Sequence, residues 1–199
     1  MHFIRSNPAA DSVLEKAGIN RAAVTIIPID WRIESDTLKN SVNTLIMLAV
    51  EGSNPETYSC VEIMKSSSRK HLRRTAANEV VCVGDLSVRL LTEAALNPGF
   101  SFFVESLLTT TAAQRSRLHK EVLPPVFAGM TFRGLFALLN TRIEEILLAV
   151  ERPCNAKHPE IYANPRGRFK LQTGDMLFLL GEGGACDLNK VAGSYDGVG

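Results

Sequence analysis

Residues 19–64 decide the fold, with the sequence INRAAVTIIPIDWRIESDTLKNSVNTLIMLAVEGSNPETYSCVEIM. Two apolar runs rich in β-branched residues, 22–29 and 58–64, predict strands. Between them, apolar side chains recur at helical spacing over 36–50. A strand, a helix and a second strand in this order predict a βαβ unit with parallel strands. The continuous apolar character of 22–29 predicts a strand that is buried on both faces.

The same alternation of helices and strands continues on both sides of this stretch. Upstream, 12–17 predicts a short helix that ends at Gly18. Downstream, the pattern predicts a basic helix, a third strand and a further helix capped by Asp85, at 68–76, 79–83 and 86–96. Seven alternating elements predict an α/β fold, a partial Rossmann-like parallel sheet with helices on both faces.

The second half of the chain has a different rhythm and predicts a small α+β module. A further helix is predicted at 100–110, and after a boundary near residue 115 the predicted elements of the module are a strand at 122–128, a helix at 131–139 and strands at 143–150 and 176–180. A proline-containing loop separates the last two strands. We therefore predict a partial Rossmann-like lobe, a crossover helix segment, an α+β C-terminal subdomain and a flexible tail, at 1–98, 99–115, 116–181 and 182–199.

Composition narrows the class of protein. The 199 residues contain 22 Lys and Arg against 21 Asp and Glu, and hydrophobic residues make up 45%. These are ordinary globular values, and no nucleic-acid recognition motif or charge excess predicts a nucleic-acid partner. The longest apolar run, 44–50, is far shorter than the roughly 20 residues of a membrane helix. Without a signal-peptide pattern either, we expect a cytoplasmic protein.

Three acidic side chains are the candidate ligand site. Asp30, Asp36 and Glu62 lie near the carboxyl ends of the first two predicted strands, where open parallel sheets bind ligands. Helix capping is the structural alternative for Asp30 and Asp36, and a position at a sheet edge is the alternative for Glu62. The four histidines are scattered, so we predict no catalytic group. The glycine-rich segment 181–186 has Cys186 at the last glycine position of a dinucleotide loop, and we reject it as a nucleotide site.

Several segments in the same order resemble RCK domains, which regulate potassium conductance and are related to regulatory subunits of Trk and Ktr potassium transporters. The resemblance covers about residues 2–181. It rests on HFIRSNPAADSVLEKAGINRAAVTIIPI (2–29), NTLIMLAVEGSNPETYSCVEI (43–63), HLRRTAANEVVCVGDLSVRLLTEAALNPG (71–99), GMTFRGLFALLN (129–140), EEILLAVER (144–152) and IYANPRGRFKLQTGDMLFLLGE (161–182).

This resemblance implies a regulatory function and no enzymatic activity. RCK domains bind a nucleotide or a divalent cation, change the angle between paired lobes and pull on the gate of a potassium pore. We therefore expect a potassium pore as partner, encoded upstream or on another chain, and a location at the inner face of the membrane. The resemblance also implies a homodimer or a higher ring, up to an octameric gating ring. The crossover segment at 86–110 pairs subunits in the family. Such pairing would account for exposed apolar positions in this segment, such as Phe100, Phe102 and Phe103.

The chain departs from the family pattern in two places. The first βαβ unit with its G-x-G-x-x-G loop is missing, and Ser6-Asn7-Pro8 replaces the family's Gly-Asp-Pro, so we do not expect this chain alone to bind a dinucleotide in the standard way. Calcium-gated members carry two glutamates on the second strand; Glu62 matches one, but Met64 replaces the other. Asp36 matches the acidic partner, so Asp36 and Glu62 are a candidate divalent-cation pair. A fragment of a nicotinamide-dependent oxidoreductase and a ligand-free scaffold remain the alternatives.

Overall fold

The computed structural model describes residues 3–72, 75, 77–109, 117–154, 159–181 and 188–193. The chain divides into two compact units, Met1–Pro98 and Gly99–Gly199, called here the N-terminal and the C-terminal unit. Each unit has its own hydrophobic core and its own sheet. In the part of the chain that is described, no helix is long and apolar enough to cross a membrane.

The N-terminal unit is a three-stranded parallel sheet with helices. Its elements are α1 (Asp11–Ala17), β1 (Val24–Ile27), α2 (Asp36–Ser53), β2 (Tyr58–Ile63), α3 (Arg69–Leu72), β3 (Glu79–Cys82) and α4 (Val83–Leu96). The strand order is β1-β2-β3, and both neighbouring pairs are parallel. The predicted α/β class and the parallel βαβ unit are therefore confirmed. The predicted basic helix is shorter than expected, and residues 73, 74 and 76 lie outside the described residues.

Only one face of this sheet is covered near β1, which corrects the prediction of a strand buried on both faces. Ile27, Val61 and Ile63 are buried in the core with α2. On the opposite face, Val24 is 58% exposed and Ile26 is 70% exposed. The apolar pattern of β1 is continuous on both faces, but the described part of the chain supplies a covering helix for only one of them.

The N-terminus of helix α2 is stabilised by a side-chain cap. The Ser35 hydroxyl accepts a hydrogen bond from the Leu38 N–H at 3.3 Å, so Ser35 is the N-cap and Asp36 lies inside the first turn. Asp85 likewise lies in the first turn of α4, which has no side-chain cap. Both aspartates still interact favourably with the positive end of a helix dipole. The cap predicted at Asp85 is therefore wrong, and the capping alternative for Asp36 misses the N-cap, Ser35, by one residue.

Asn43 ties α2 to the ends of two strands, and its loss should destabilise the N-terminal unit. Its Nδ2 donates to the Pro28 carbonyl at 3.2 Å and to the Glu62 carbonyl at 2.9 Å, and the residue is 2% exposed. Replacing Asn43 by alanine leaves both carbonyls without this donor, so we expect a loss of about 2 kcal/mol in urea unfolding. Asn97→Ala removes an exposed hydrogen bond to Glu93 and is the control, with little change expected. Equal losses in both variants would contradict this role.

The C-terminal unit is an antiparallel sheet packed on a helix. Its elements are α5 (Phe100–Leu108), β4 (Arg117–Val122), α6 (Phe132–Ile143), β5 (Ile146–Arg152), β6 (Glu160–Ala163), β7 (Met176–Gly181) and α7 (Leu188–Gly193). The strand order is β4-β7-β5-β6, antiparallel throughout. Phe132, Leu135 and Leu139 bury the inner face of α6 against Leu177 and Leu179 of the sheet. The predicted small α+β module is confirmed.

Three elements of this unit differ from the sequence predictions. The strand expected at 122–128 instead ends at Val122, because Pro124 and Pro125 lack the N–H groups that a strand ladder needs, and a 3₁₀ turn follows at Pro125–Phe127. Strand β6 lies inside the expected proline loop. Part of the expected flexible tail forms α7, where Leu188 and Val191 pack into the core; residues 182–187 and 194–199 lie outside the described residues.

Candidate functional site

The candidate site lies at the carboxyl ends of β1 and β2. Because these strands are parallel, the loop after β1 and the residues after β2 reach the same edge of the sheet. The first turn of α2 returns to this edge, since Asn40 Oδ1 accepts a hydrogen bond from the Met64 N–H at 2.8 Å. All three predicted acidic residues belong to this region, and each has a different partner.

The Glu62 carboxylate accepts a backbone hydrogen bond just beyond the end of the neighbouring strand, β1. Its Oε2 accepts a hydrogen bond from the Ile29 N–H at 2.8 Å, and its side chain is half-buried. The carboxylate thus satisfies a backbone donor where the ladder of β1 has ended. It also affects Cys60 on the same strand, whose thiol pKa is raised by burial and further by the charges of Glu79 and Glu62. A raised pKa disfavours the reactive thiolate at neutral pH.

Asp30 forms an exposed ion pair with Arg32. Oδ1 accepts from Nε of Arg32 at 2.9 Å and from its backbone N–H at 3.0 Å, and Oδ2 accepts from Nη2 at 2.7 Å. These hydrogen bonds to Arg32 lower the pKa of Asp30 to about 2. Asp30 therefore stabilises the loop after β1 through its hydrogen bonds to Arg32, and it remains charged through the physiological pH range.

Replacing Arg32 by methionine should raise the pKa of Asp30 from about 2 toward the ordinary aspartate value. Because the folded pKa lies below the unfolded one, the pair stabilises the fold above about pH 4, and this contribution is lost as the pH falls toward 2. Carbon-13 NMR of the carboxyl group follows the titration. Arg21→Met, before β1, is the control and should leave the Asp30 titration unchanged. An Asp30 pKa that is insensitive to Arg32→Met would contradict this assignment.

Asp36 lies between two ammonium groups. Its Oδ1 is 3.5 Å from Nζ of Lys39, and its Oδ2 is 3.5 Å from Nζ of Lys65. The side chain of Lys39 is 8% exposed, and its Nζ lies 5.0 Å from the centre of the exposed Trp31 ring. Lys65 is 61% exposed. Two positive charges therefore accompany the one carboxylate at the first turn of α2.

This charge pattern bears on the kind of ligand. A divalent cation at Asp36 would have to displace two ammonium groups, and one oxygen of Glu62 is already engaged by the Ile29 N–H. Within the described residues, no group of three or more His, Cys, Asp or Glu side chains is placed to hold a metal ion. The residues present therefore fit a divalent cation poorly, and the cation pair Asp36 and Glu62 stays a prediction.

Sequence reasoning missed the two lysines and the tryptophan of this region. Lys39 follows Asp36 by three residues, the spacing of neighbours on one helix face, and this was the available signal. Lys65 could not be found in this way, because it reaches Asp36 only through the parallel pairing of β1 with β2.

Two consecutive helices expose apolar side chains. Neither α4 nor α5 has a buried residue. The exposed large apolar residues are Leu86, Val88, Leu91 and Leu96 on α4, and Phe102, Phe103 and Leu108 on α5. A helix with this much exposed apolar surface is typical of a protein interface.

The fold consists of a partial Rossmann-like unit and a small antiparallel α+β unit. No family model matches the chain. The chain is similar to a putative potassium channel protein, YugO, of Bacillus subtilis, with 31% identity over 91 residues, covering 46% of this chain and 27% of the relative. It is also similar to the calcium-gated potassium channel TvoK of Thermoplasma volcanium, with 23% identity over 180 residues, covering 89% of this chain and 49% of the relative.

Solved structures give the same class of fold. The human SLO3 gating ring matches with a TM-score of 0.74 at 17% identity, over 90% of this chain and 36% of that chain. The GsuK RCK domain covers 98% of this chain and 38% of that chain, at a TM-score of 0.41 and 19% identity. The match to the SLO3 gating ring confirms the fold that the RCK resemblance predicted. The chain spans about half or less of the length of the curated relatives described above.

Proposed function

We propose that the chain is a cytosolic, ligand-sensing regulatory domain of a potassium channel or transporter. The observation that carries this proposal is the similarity over 89% of the chain to a protein named as a gated potassium channel. The gating-ring fold over 90% of the chain supports it. The pore is part of the same polypeptide or of a separate one. The named relatives are channels, and the three acidic residues have structural partners, so we propose no catalysis.

Regulation of this kind works through linkage. A ligand that binds one arrangement of the paired domains more tightly shifts the population toward it, and the pore responds to that shift. We place the ligand at the carboxyl ends of β1 and β2, near Asp30, Asp36 and Glu62. The candidate ligands are a nucleotide and Ca²⁺, and the two ammonium groups on Asp36 favour the anionic nucleotide over the cation. Ligand binding there would change the contacts among the loop after β1, the first turn of α2 and Lys65.

The partner in assembly is a second copy of the chain. The exposed apolar side chains of α4 in the N-terminal unit and those of α5 in the C-terminal unit are each a proposed pairing surface, consistent with a homodimer or a higher ring. Pairing would bury side chains such as Leu91 and Phe102, which are 71% and 75% exposed in the single chain.

Rubidium flux through vesicles that contain the chain and its pore tests the function. We expect the flux to change when Ca²⁺ or a nucleotide is added on the domain side, and to lose this response when Asp36→Ala is introduced. A thermal-shift series on the chain with Ca²⁺, ADP and ATP identifies the ligand, because a ligand selective for the folded state raises the melting temperature.

The outcomes separate the alternatives. A rubidium flux that changes when the ligand is added supports the proposal. Unchanged flux and unchanged melting temperature with every compound would overturn ligand sensing and favour a scaffold. Turnover of a nicotinamide cofactor by the chain would favour an oxidoreductase.

A further inference from the structure

Lys39 is a buried lysine near the start of helix α2, a position that normally disfavours a positive charge. Its side chain is 8% exposed, and among the lysines whose burial the structure describes it is the only buried one. A lysine ordinarily keeps its ammonium group in water, and the positive end of a helix dipole repels a cation. Because both effects oppose this placement, specific contacts have to stabilise it.

Two contacts stabilise the ammonium group of Lys39. Asp36 Oδ1 lies 3.5 Å from its Nζ, and the centre of the Trp31 ring lies 5.0 Å from the same atom. The carboxylate supplies the counter-charge, and the ring supplies a cation–π contact. Asp36 is therefore committed to this lysine, because a ligand that drew the carboxylate away would leave a buried ammonium group without its counterion.

Lys65 contacts the other oxygen of the same carboxylate. Its Nζ lies 3.5 Å from Asp36 Oδ2, so each carboxylate oxygen faces one ammonium group. Lys65 follows β2, Asp36 begins α2, and Trp31 belongs to the loop after β1. These contacts therefore join three segments at the carboxyl edge of the parallel sheet. We call the residues that make them the lysine cluster: Trp31, Asp36, Lys39 and Lys65.

The lysine cluster supplies the charge that a divalent cation would supply at Asp36. Two ammonium groups carry the same total charge as one divalent cation, and they repel any further cation. A calcium ion needs about six to eight oxygen ligands. Both oxygens of Asp36 already face ammonium groups, and Oε2 of Glu62 already accepts a hydrogen bond from the Ile29 N–H. The charge position at this edge of the sheet is therefore filled by the chain itself.

We propose that Lys39 and Lys65 are a built-in substitute for a divalent cation at Asp36. Their ammonium groups hold the start of α2 to the end of β2, and they make this edge of the sheet insensitive to Ca²⁺. Of the two candidate ligands of the proposed function, only the nucleotide then remains for this site. The inference rests on the site of the proposed function but on no property of the pore, so it can fail while the flux still responds to a nucleotide.

Terbium luminescence sensitised by tryptophan tests the proposal. Tb³⁺ prefers oxygen ligands as Ca²⁺ does, and it emits when a nearby tryptophan transfers its excitation to the ion. The chain has one tryptophan, and this residue, Trp31, belongs to the lysine cluster. We expect the double variant Lys39→Met with Lys65→Met to bind Tb³⁺ at least about tenfold more tightly than the unaltered chain, because two repelling charges are gone. Ca²⁺ should raise the melting temperature of the double variant and leave that of the unaltered chain unchanged.

Matched variants separate the two lysines from general effects of charge. Lys65→Arg keeps the charge and Lys16→Met removes an exposed charge on α1, so both should behave like the unaltered chain. Lys65→Met alone changes a side chain that is 61% exposed, and it keeps the proposal testable if the double variant does not fold, as circular dichroism would show. We expect Lys65→Met to bind Tb³⁺ with intermediate affinity, and Asp36→Asn to abolish the gain in the double variant. Equal Tb³⁺ affinity of the unaltered chain and Lys65→Met, or a Ca²⁺-dependent rise in the melting temperature of the unaltered chain that Asp36→Asn removes, would overturn the proposal.

Discussion

Replacing Asp175 by asparagine should lower the free energy of unfolding of the C-terminal unit by about 3 kcal/mol or more. Asp175 is 1% exposed and lies in the turn before β7. Its Oδ1 accepts from Nε of Arg152 at 2.9 Å, and its Oδ2 accepts from Nη2 at 2.8 Å. The pair joins the end of β5 to the turn that starts β7.

The large effect follows from the surroundings of the guanidinium. Arg152 also donates to the Lys170 carbonyl at 2.9 Å, and its central carbon lies 4.7 Å from the centre of the Phe169 ring. The hydrogen bonds to Asp175 raise the pKa of Arg152, so this side chain stays charged at every pH at which the protein folds. Loss of the Asp175 charge therefore leaves a positive charge among apolar rings without its counterion.

Urea unfolding of Asp175→Asn, followed by circular dichroism, measures the loss. The double variant Arg152→Met with Asp175→Leu is the informative control, because replacing both partners of a buried ion pair by apolar side chains is often nearly neutral. We expect the double variant to recover most of the lost stability. A double variant less stable than Asp175→Asn would show that the turn needs the carboxylate for the Gln172 N–H, which donates to Oδ2 at 2.9 Å, more than it needs the ion pair.

Replacing Gly84 by alanine should destabilise the N-terminal unit by about 2 kcal/mol, although alanine is the better helix former. Gly84 lies in the first turn of α4, where a side-chain carbon would overlap the carbonyl oxygen of Met64. The same oxygen accepts a hydrogen bond from the Cys82 thiol at 3.6 Å. Since the obstacle is backbone and not the end of a flexible side chain, either α4 or the end of β2 has to move.

Gly52→Ala is the matched control, because Gly52 is also inside a helix and has open space around it. We expect Gly52→Ala to raise the free energy of unfolding by up to about 1 kcal/mol, as helix propensity alone predicts. Thermal or urea unfolding of both variants gives the comparison. A gain in stability in both would show that α4 does not approach β2 as closely as described.

The strands and helices with a strong periodic signal were predictable from the sequence. Strand β2 and helix α2 were found within three residues of their ends, because β-branched runs and helical spacing each leave a local signature. Strand β6 was not found, because it is a four-residue edge strand flanked by Pro159 and Pro165 and is defined mainly by its pairing with β5.

The contacts of the candidate site also divide into local ones, which the sequence can predict, and long-range ones, which it cannot. The partner of Asp30 is two residues away, and Lys39 is one helical turn from Asp36, so both contacts are local. The hydrogen bond from Ile29 to Glu62 joins residues that are 33 apart in sequence. The ion pair of Lys65 with Asp36 likewise depends on the parallel register of β1 and β2.

The sequence by itself determined the class of fold, the parallel order of the first unit and the edge where three acidic residues gather, because periodicity and chain direction are local properties. The tertiary structure decided what each charge does. Asp36 lies between two ammonium groups, and Glu62 accepts a hydrogen bond from the backbone N–H of Ile29. It also decided which apolar side chains remain uncovered, on α2, α4 and α5, because burial depends on which elements pack together and cannot be inferred from the apolar pattern of one helix.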